Sequence, residues 1–345
     1  GIWPISEASQ AKGTSKWPTV GAPVVPVYSY TVANSLRFRS SASAYLSRTP
    51  ASTGSRTTWT WSAWVKLGEL TTNRTLFAAG DVTADIYYNR ISLTTAGAIG
   101  FYNYPGTLGG WLFTNNLLRD PSAWYHIVAV WDTTNATSTD RMRLYVNAVR
   151  VTDFVTATFA PTYPNQNTNS LINNSAYEHR FGRTEVGQSG ANYFDGYMSE
   201  INFIDGQALT PSSFGETNST TGTWVPKQYS GTYGTNGFYL KFNNGTNTTT
   251  LGYDSSSNSN NWTTHNISLT SGVTYDWMTD SPTPVSSSVG NYAVLNPLDN
   301  GGLTISNANL QGTYTSASWK SARSTIGMLS GKWYWEIVSP DATTS

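Results

Sequence analysis

Short runs of β-branched and aromatic residues recur along this chain, and small polar residues separate one run from the next. Between residues 31 and 215 these runs include SLRF, WTWSAWVKL, WYHIVAVWD and RMRLYVNAVRV. The spacing of an amphipathic helix is nearly absent, and only TPSSFGE has the pattern of a capped helical turn. Strands of this kind, joined by short polar turns, predict an all-β protein built as a sandwich of two sheets.

One of these runs is unusually rich in tryptophan, with Trp59, Trp61 and Trp64 inside six residues. Exposed tryptophans bind sugars by stacking, whereas buried tryptophans fill cores. In an extended strand, Trp59 and Trp61 share one face and Trp64 lies on the other. Because Val65 and Leu67 continue the apolar run, we predict that Trp61 and Trp64 are core residues and not a sugar-binding platform.

The charge and cysteine content exclude several kinds of function. Charged residues make up 12% of the chain, and 20 basic residues balance 20 acidic ones. This leaves no basic surface for nucleic acid or for an anionic membrane. The chain has no cysteine, so disulfides and thiolate metal sites are impossible. No apolar run approaches the ~18 residues of a membrane helix. We therefore expect no nucleic-acid partner and no membrane insertion.

Several strand motifs follow one another in a fixed order between residues 31 and 215. AWV is followed by W-x-H-x-V, then by LYVN, and finally by a closing strand with DG and an AL turn. This order resembles the laminin-G-like branch of the concanavalin A-like jelly-roll sandwiches. Ala148 stands where that family has a turn glycine, so we expect a turn of a different type. The matching residues are Ala63, Trp64, Val65, Trp124, His126, Val128, Leu144, Tyr145, Val146, Asn147, Asp195, Gly196, Glu200, Ala208 and Leu209.

The chain changes character after the sandwich. Residues 216–286 are rich in Ser and Asn, and GFYLKFNN and LGYDSSSNSNNW are similar to a segment of virion proteins from marine tailed phages. Residues 287–345 include GKWYWEIV, which resembles the start of a SPRY-type β-sandwich. A whole SPRY sandwich is larger than this region. Either the chain continues beyond Ser345, or these strands complete a sheet with residues 236–285 or with a neighbouring subunit.

Residues 1–30 carry several prolines and large apolar residues without a clear period. Proline removes backbone hydrogen-bond donors and favours extended chain. The segment is therefore either a disordered tail or an extended arm that orders against a partner. Solvated tails are usually poor in large apolar residues, which favours an arm that anchors the subunit to another chain. The residues expected to make this contact are Trp3, Trp17, Val24, Val25 and Tyr28.

The sequence has no pattern typical of catalysis. Laminarinase-type hydrolases of this fold need E-x-D-x-x-E, which places two carboxylates in one cleft. No glutamate of this chain has an aspartate two residues later. Glu200 and Asp205 are five residues apart on a predicted strand and would point to opposite faces. His126 is expected to be a hydrogen-bonded core residue, and no histidine lies in a catalytic motif. We therefore expect no enzymatic activity.

Two sets of residues are candidates for ligand binding. Tyr102, Tyr104 and Trp111 surround Pro-Gly and Gly-Gly pairs, which predict a loop that presents aromatic side chains to a glycan. The alternative is a hairpin tip packed against a neighbouring subunit. The laminin-G-like resemblance implies one calcium ion at a loop rim, for which Asp81 and Asp85 are the candidates. The run DSSSNSNN does not fit an EF-hand and predicts a turn held by Asx hydrogen bonds.

The resemblance and these residues together predict a non-enzymatic phage structural protein on the virion surface, outside the cell, such as an appendage, fibre or decoration. Its expected partners are other virion proteins, further copies of itself and a host-surface polysaccharide. The alternative is a secreted carbohydrate-binding module or a polysaccharide-degrading enzyme of concanavalin A-like fold. The missing carboxylate pair disfavours the enzyme, whereas the composition leaves the binding module open.

Overall fold

The regular structure of the chain is almost entirely β-sheet, which confirms the predicted fold class. A computed structural model describes residues 27–81, 87–157, 160–187, 190–284, 290–315, 319–328 and 335–338. In chain order the strands are β1 (Ser35–Phe38), β2 (Tyr45–Arg48), β3 (Thr58–Leu67), β4 (Arg74–Gly80), β5 (Tyr87–Leu93), β6 (Ala98–Pro105), β7 (Gly110–Leu117), β8 (Trp124–Asp132), β9 (Met142–Val146), β10 (Val149–Arg150), β11 (His179–Phe181), β12 (Gly196–Asp205), β13 (Gly215–Thr217), β14 (Trp224–Pro226), β15 (Phe238–Leu240), β16 (Thr263–His265), β17 (Trp277–Met278), β18 (Thr304–Ser306) and β19 (Gln311–Thr313).

Helical structure is limited to a few short turns. The 3-10 turns are Ser40–Ala42, Ser138–Asp140 and Pro211–Ser213, and the α-helix α1 is Thr248–Leu251. The turn predicted from TPSSFGE forms at Pro211–Ser213 but has no side-chain cap. Instead, α1 has a capping box in which Asn247 and Thr250 bond each other's backbone amides. Within the described residues no helix is long or apolar enough to cross a membrane.

Two large antiparallel sheets form the sandwich. The eight-stranded sheet has the order β10-β9-β8-β3-β12-β1-β17, and β15 also pairs with β12. The seven-stranded sheet has the order β16-β2-β11-β4-β5-β6-β7. Two hairpins, β13–β14 and β18–β19, form separate two-stranded sheets.

The main core lies between the two sheets and is rich in aromatic rings. Trp59 packs against Phe101 with ring centroids 5.8 Å apart, and Trp61 packs against Phe77 at 6.2 Å. Trp61 is fully buried and Trp64 is only 3% exposed. The prediction that Trp61 and Trp64 are core residues is therefore confirmed.

Trp64 lies on the opposite face of β3, where the chain after the sandwich covers it. It belongs to a second apolar cluster with Trp124, Tyr197 and Ala308. In the same region the ammonium group of the fully buried Lys66 bonds Asp280 at 2.7 Å.

The segment 216–284, as far as the structure describes the Ser- and Asn-rich region, is built into the sandwich. It contributes β15 and β17 to the eight-stranded sheet and β16 to the seven-stranded sheet. Asp276, next to β17, accepts hydrogen bonds from Arg37 at 3.0 Å and from Arg39 at 2.8 Å. These buried ion pairs hold the later segment against β1.

The C-terminal region is described only in part. Strands β18 and β19 pair with each other, and a bridge joins Leu295 to Ser324. Most of GKWYWEIV lies outside the described residues, and residues 335–338 are exposed and not in a strand. The SPRY-like assignment of residues 287–345 stays a prediction.

The turn between β9 and β10 accommodates an alanine in a position that favours glycine. Asn147 has a φ of 47° and Ala148 a φ of 71°, and two successive positive φ angles characterise the type I′ hairpin turn. Ala148 therefore adopts the left-handed conformation, and whether this turn differs in type from that of the related proteins stays a prediction.

Candidate functional site

The strand registers place one residue from every strand of the seven-stranded sheet in a single line. Because side chains alternate along a strand, these residues face away from the core, which receives their neighbours Phe77 and Phe101. We call this line the outer row. From one sheet edge to the other it consists of Thr263, Ser47, Arg180, Ala78, Arg90, Tyr102 and Trp111.

One end of the outer row is a cluster of aromatic rings, which we call the aromatic end: Tyr88, Tyr102, Tyr104, Trp111 and Phe113. The rings of Tyr88 and Tyr104 stack with centroids 5.3 Å apart, and Tyr102 lies 5.0 Å from Trp111. Tyr102 is only 7% exposed, whereas the other four rings are half-buried. The surface presented to solvent is therefore made of Tyr88, Tyr104, Trp111 and Phe113.

The structure brings the predicted glycan-binding residues together, but on strands and not on a loop. Tyr102 and Tyr104 lie in β6, Trp111 lies in β7, and only residues 106–109 form the turn. Cross-strand aromatic pairing stabilises the strands on both sides of the glycines. The Tyr102 hydroxyl lies 3.2 Å from both Arg90 and Ser92, so it is engaged within the sheet.

The centre of the outer row holds two arginines that are already neutralised. Arg90 forms a buried ion pair with Glu185, and Arg180 donates to Glu178 at 2.5 Å. Ala78 stands between the two arginines and is fully buried, and Arg90 and Arg180 are each only 8% exposed. The centre is therefore largely covered and fixed by internal partners.

Next to the other edge of the sheet lies a second cluster, which we call the cationic end: Tyr45, Arg183, Tyr193 and His265. His265 stacks on Tyr45 with ring centroids 4.1 Å apart and planes 7° from parallel. The Arg183 guanidinium lies 5.1 Å from the Tyr45 ring and 5.2 Å from the Tyr193 ring, within range of a cation–π interaction. Burial, together with Arg180 and Arg183, lowers the pKa of His265 although Glu178 opposes this.

The sequence contained no local signal for the cationic end. Tyr45 is on β2, Arg183 and Tyr193 follow β11, and His265 is on β16, so four chain-distant residues meet only through strand pairing. Alternation within YLSR and within HRF does show which residues share a face. Neither run indicates which strands will pair with each other in the sheet.

The metal prediction lies partly outside the described residues, because Asp85 falls there. Asp81 directly follows β4 and forms an isolated bridge to Val186. In the part of the chain that the structure describes, no three acidic or histidine side chains are grouped to hold a metal ion. Calcium binding by Asp81 and Asp85 stays a prediction. Asp254 accepts bonds from the amides of Ser256 and Asn260, which confirms the Asx-type turn in DSSSNSNN.

The two carboxylates of β12 have separate surroundings. Glu200 lies on a β-bulge with a φ of 51°, and its carboxyl group contacts the hydroxyls of Tyr30 and Tyr239. Asp205 accepts instead from the amide of Ser55 at 2.8 Å and from the side chain of Asn173 at 2.6 Å. They do not form the acid and nucleophile pair of a glycosidase.

The histidine of the WYHIVAV strand is a core residue, as predicted. Nε2 of His126 lies 2.8 Å from the Ser62 hydroxyl, and Nδ1 accepts from the indole of Trp224 at 3.0 Å. Burial lowers the pKa of His126 to about 3, so the ring is neutral at physiological pH. A neutral, fully bonded imidazole of this kind stabilises the fold.

The predicted arm is described only at its end. Trp3, Trp17, Val24 and Val25 lie outside the described residues, and Tyr28 is half-buried. The carbonyl of Val27 accepts from Asn218 at 2.8 Å, and the amide of Val32 donates to Thr283 at 2.7 Å. Residues 27–32 thus pack on later segments of their own chain, and the contact of the arm with a partner stays a prediction.

Two surface grooves of about 380 Å³ lie elsewhere on the protein. Neither groove is lined by a residue of the outer row. One is lined by Arg119, Asp120, Pro121, Asn296, Leu298 and Thr325. The other is lined by Ile99, Thr114, Asn116, Leu118, Val146, Val149, Arg150, Val151, Thr152 and Asp153.

Comparison with known proteins gives one family match. The model of the concanavalin A-like lectin/glucanases superfamily matches residues 40–213. None of the curated proteins matches the chain in sequence.

Several solved structures are similar in fold. A protein of Bacteroides ovatus, described as a candidate carbohydrate-binding protein, is 18% identical with a TM-score of 0.44, and the match covers 74% of this chain and 63% of that one. A heptameric SAP-like pentraxin from Limulus polyphemus is 13% identical with a TM-score of 0.36. The match covers 53% of this chain and 80% of the pentraxin chain. The CBM40 of a Ruminococcus gnavus IT-sialidase, bound to α2,3-sialyllactose, is 11% identical with a TM-score of 0.33. The match covers 53% of this chain and 92% of the CBM40 chain. At these identities the likeness concerns the fold alone.

Proposed function

The chain belongs to the concanavalin A-like lectin/glucanases superfamily, and on this premise we propose that it binds a glycan along the outer row of its seven-stranded sheet. The observation that carries the proposal is the placement of half-buried aromatic rings at one end of this face and of half-buried aromatic and cationic side chains near the other. Sugar rings present apolar faces that stack on aromatic side chains, and hydroxyl groups that bond polar ones. The aromatic end provides the stacking faces, and the cationic end adds polar groups.

The size of the outer row suits an extended ligand better than a single sugar. Neighbouring strands of a sheet are about 4.8 Å apart, so the six steps from Thr263 to Trp111 span about 29 Å. The row crosses the strands, and its aromatic and cationic clusters lie towards opposite edges. We therefore propose that the ligand is an oligosaccharide or a polysaccharide chain that crosses the strands.

Trp111→Ala tests this proposal on a glycan array. Trp319→Ala is the matched control, because Trp319 is fully exposed and lies in the C-terminal region. Loss of one stacking aromatic at a binding site should weaken glycan binding about tenfold or more, since such anchors contribute over about 1 kcal/mol. The control should bind as the wild type does. Unchanged binding by Trp111→Ala would remove the aromatic end from the site.

We also propose that the protein acts without catalysis. The absence of E-x-D-x-x-E supports this, as do the separate partners of Glu200 and Asp205. Incubation with β-glucans should release no reducing sugar. Release that is abolished by Glu200→Gln would overturn the proposal and favour the hydrolase alternative.

We propose, finally, that this glycan binding serves a structural protein on the surface of a phage virion. The support is the resemblance of GFYLKFNN and the Asn-rich run after it to a segment of phage virion proteins. The partners would be other virion proteins and further copies of the chain. Locating the chain in imaged particles tests this role. Recovery of the protein only in a free, secreted form would favour the alternative of a carbohydrate-binding module.

A further inference from the structure

Among the residues that the structure describes, Arg183 differs from Arg90 and Arg180 on the same face in having no acidic partner. Arg90 is paired with Glu185 and Arg180 with Glu178, whereas Arg183 forms no ion pair with any described residue. Its Nε atom is buried and has no hydrogen-bond partner among those residues. A guanidinium with no anionic partner among these residues is open to an anionic ligand through the accessible part of its half-buried side chain.

The position of Arg183 is set by rigid neighbours. Gly182, with a φ of 80°, turns the chain directly after β11, and an added Cβ there would lie 2.5 Å from the ring of Phe38. The guanidinium then lies within 5.2 Å of two tyrosine rings, those of Tyr45 and Tyr193. A cation packed against two rings keeps its orientation before a ligand arrives, so little ordering entropy is lost on binding.

The surroundings of Arg183 offer further groups suited to a sugar. His265, stacked on Tyr45, lies 2.9 Å from the Ser47 hydroxyl through its Nε2 atom. Tyr45, Tyr193, Arg183 and His265 are all half-buried, which leaves part of each side chain accessible. The cationic end thus combines an unpaired cation, aromatic faces and ring nitrogens.

We propose that the cationic end is a subsite for an anionic group on the glycan, a carboxylate or a sulfate ester. The proposal rests on the function proposed above and names the class of its ligand as an acidic glycan. A guanidinium matches the planar fork of a carboxylate, and also the oxygens of a sulfate, with two parallel hydrogen bonds. The rings of Tyr45 and Tyr193, whose centroids are 6.4 Å apart, would hold the guanidinium in place under the charged group of the sugar.

The aromatic end and the cationic end would then make different contributions to glycan binding. Tyr45 lies on β2 and Trp111 on β7, five strand steps or about 24 Å apart. The aromatic end would hold sugars of any charge, whereas the cationic end would select those that are acidic. Removal of Arg183 should therefore change selectivity, and removal of Trp111 should change affinity for every ligand.

The test measures binding to matched pairs of polysaccharides. The pairs are polygalacturonate with its carboxyl-reduced form, and a sulfated galactan with its desulfated form. Variants Arg183→Gln and Arg183→Lys are compared with Arg323→Gln, a control that removes the charge of an exposed arginine in the C-terminal region. Thermal unfolding of each variant shows that it is folded.

The wild type should prefer an acidic member of at least one pair. Arg183→Gln should weaken binding of that member about tenfold or more, because hydrogen bonds to charged groups are the strong ones. It should leave the neutral member unaffected, and Arg183→Lys should be intermediate because it retains charge without the fork. The preferred pair distinguishes carboxylate from sulfate.

Two results would overturn the inference in different ways. If the wild type binds glycans without preferring an acidic member, or if Arg183→Gln weakens both members equally, the anionic subsite is wrong and the proposed glycan binding stands. If the wild type binds no member of either pair, and no glycan on the array, both proposals fail.

Discussion

The hydroxyl of Tyr239 donates a 2.6 Å hydrogen bond to Glu200, a buried carboxyl group on the bulge of β12. The Tyr30 hydroxyl lies 3.1 Å from the other carboxyl oxygen and 2.7 Å from the Tyr239 hydroxyl. Three oxygen contacts in a ring require three hydrogens, and the two tyrosines supply only two. The geometry therefore fits a protonated Glu200, which supplies the third.

Stability should fall as pH rises because of this carboxyl group. Burial raises the pKa of Glu200 to about 7, although hydrogen bonds from Tyr239 and Tyr30 oppose the shift. The folded state holds the proton more tightly than the unfolded state, so the stabilisation is complete below about pH 4.5 and is lost as pH rises through about 7. Relative to Glu200→Gln, the wild type should lose roughly 2 to 3 kcal/mol of unfolding free energy between pH 5 and 8. Urea denaturation at both pH values measures this, and parallel profiles would contradict it.

Ala148→Gly should stabilise the protein. Ala148 holds a positive φ of 71° in the β9–β10 turn, where a Cβ atom is strained. Glycine relieves this strain but increases the entropy of the unfolded chain, which leaves a net gain of roughly 0.5 to 1 kcal/mol. Asn147→Gly at the preceding position is the comparison, because asparagine already tolerates that conformation. Chemical denaturation measures the unfolding free energy of each variant. A lower unfolding free energy for Ala148→Gly than for the wild type would show that the strain is absent.

Asp280→Ala should strongly destabilise the sandwich. It removes the acceptor of the Trp124 indole and the only acidic partner that the structure shows for the fully buried Lys66 ammonium, which keeps two neutral acceptors, Asn291 and the Tyr292 carbonyl. An unpaired buried charge typically costs about 3 to 5 kcal/mol. Asp299→Ala removes the partner of the exposed Arg323 and should cost less than about 1 kcal/mol. Equal effects in thermal unfolding would mean that the later segment does not stabilise the eight-stranded sheet.

Trp61→Ala should destabilise the protein because Trp61 is fully buried against Phe77. Truncation of a large core aromatic to alanine costs about 3 to 5 kcal/mol. Trp319→Ala, at a fully exposed position, should change the unfolding free energy by less than about 0.5 kcal/mol. A Trp61→Ala protein as stable as this control would contradict the core that the structure shows.

Local sequence pattern was sufficient to predict the fold class and the two faces of β3. Alternation places Trp59 and Trp61 on one side and Trp64 on the other, and the structure agrees. Periodicity reports the face of a strand because it depends only on neighbouring residues. Which residues cover that face depends on contacts between distant parts of the chain. The apolar cluster that contains Trp64 also includes Ala308, which is 244 positions away in the sequence.

The candidate site depends on strand pairing and could not be derived in this way. His265 and Tyr45 stack only because β16 pairs with β2, and nothing in either run indicates that pairing. The β-bulge at Glu200 could not be predicted from the sequence either, because it also depends on strand pairing. The run around it reads as a regular strand, and the extra residue is needed only where pairing of β12 changes from β1 to β15. Tyr102 and Trp111 were identified by residue type, but their placement on strands was not.

A crystal structure of the protein with a bound oligosaccharide, chosen from the ligands that bind on the array, tests the central claim most directly. The account predicts sugar density along the outer row, with one ring against Tyr104 or Trp111 and, for an acidic ligand, the anionic group on Arg183. Density at a loop rim, or on the eight-stranded sheet, with the outer row empty, would contradict it.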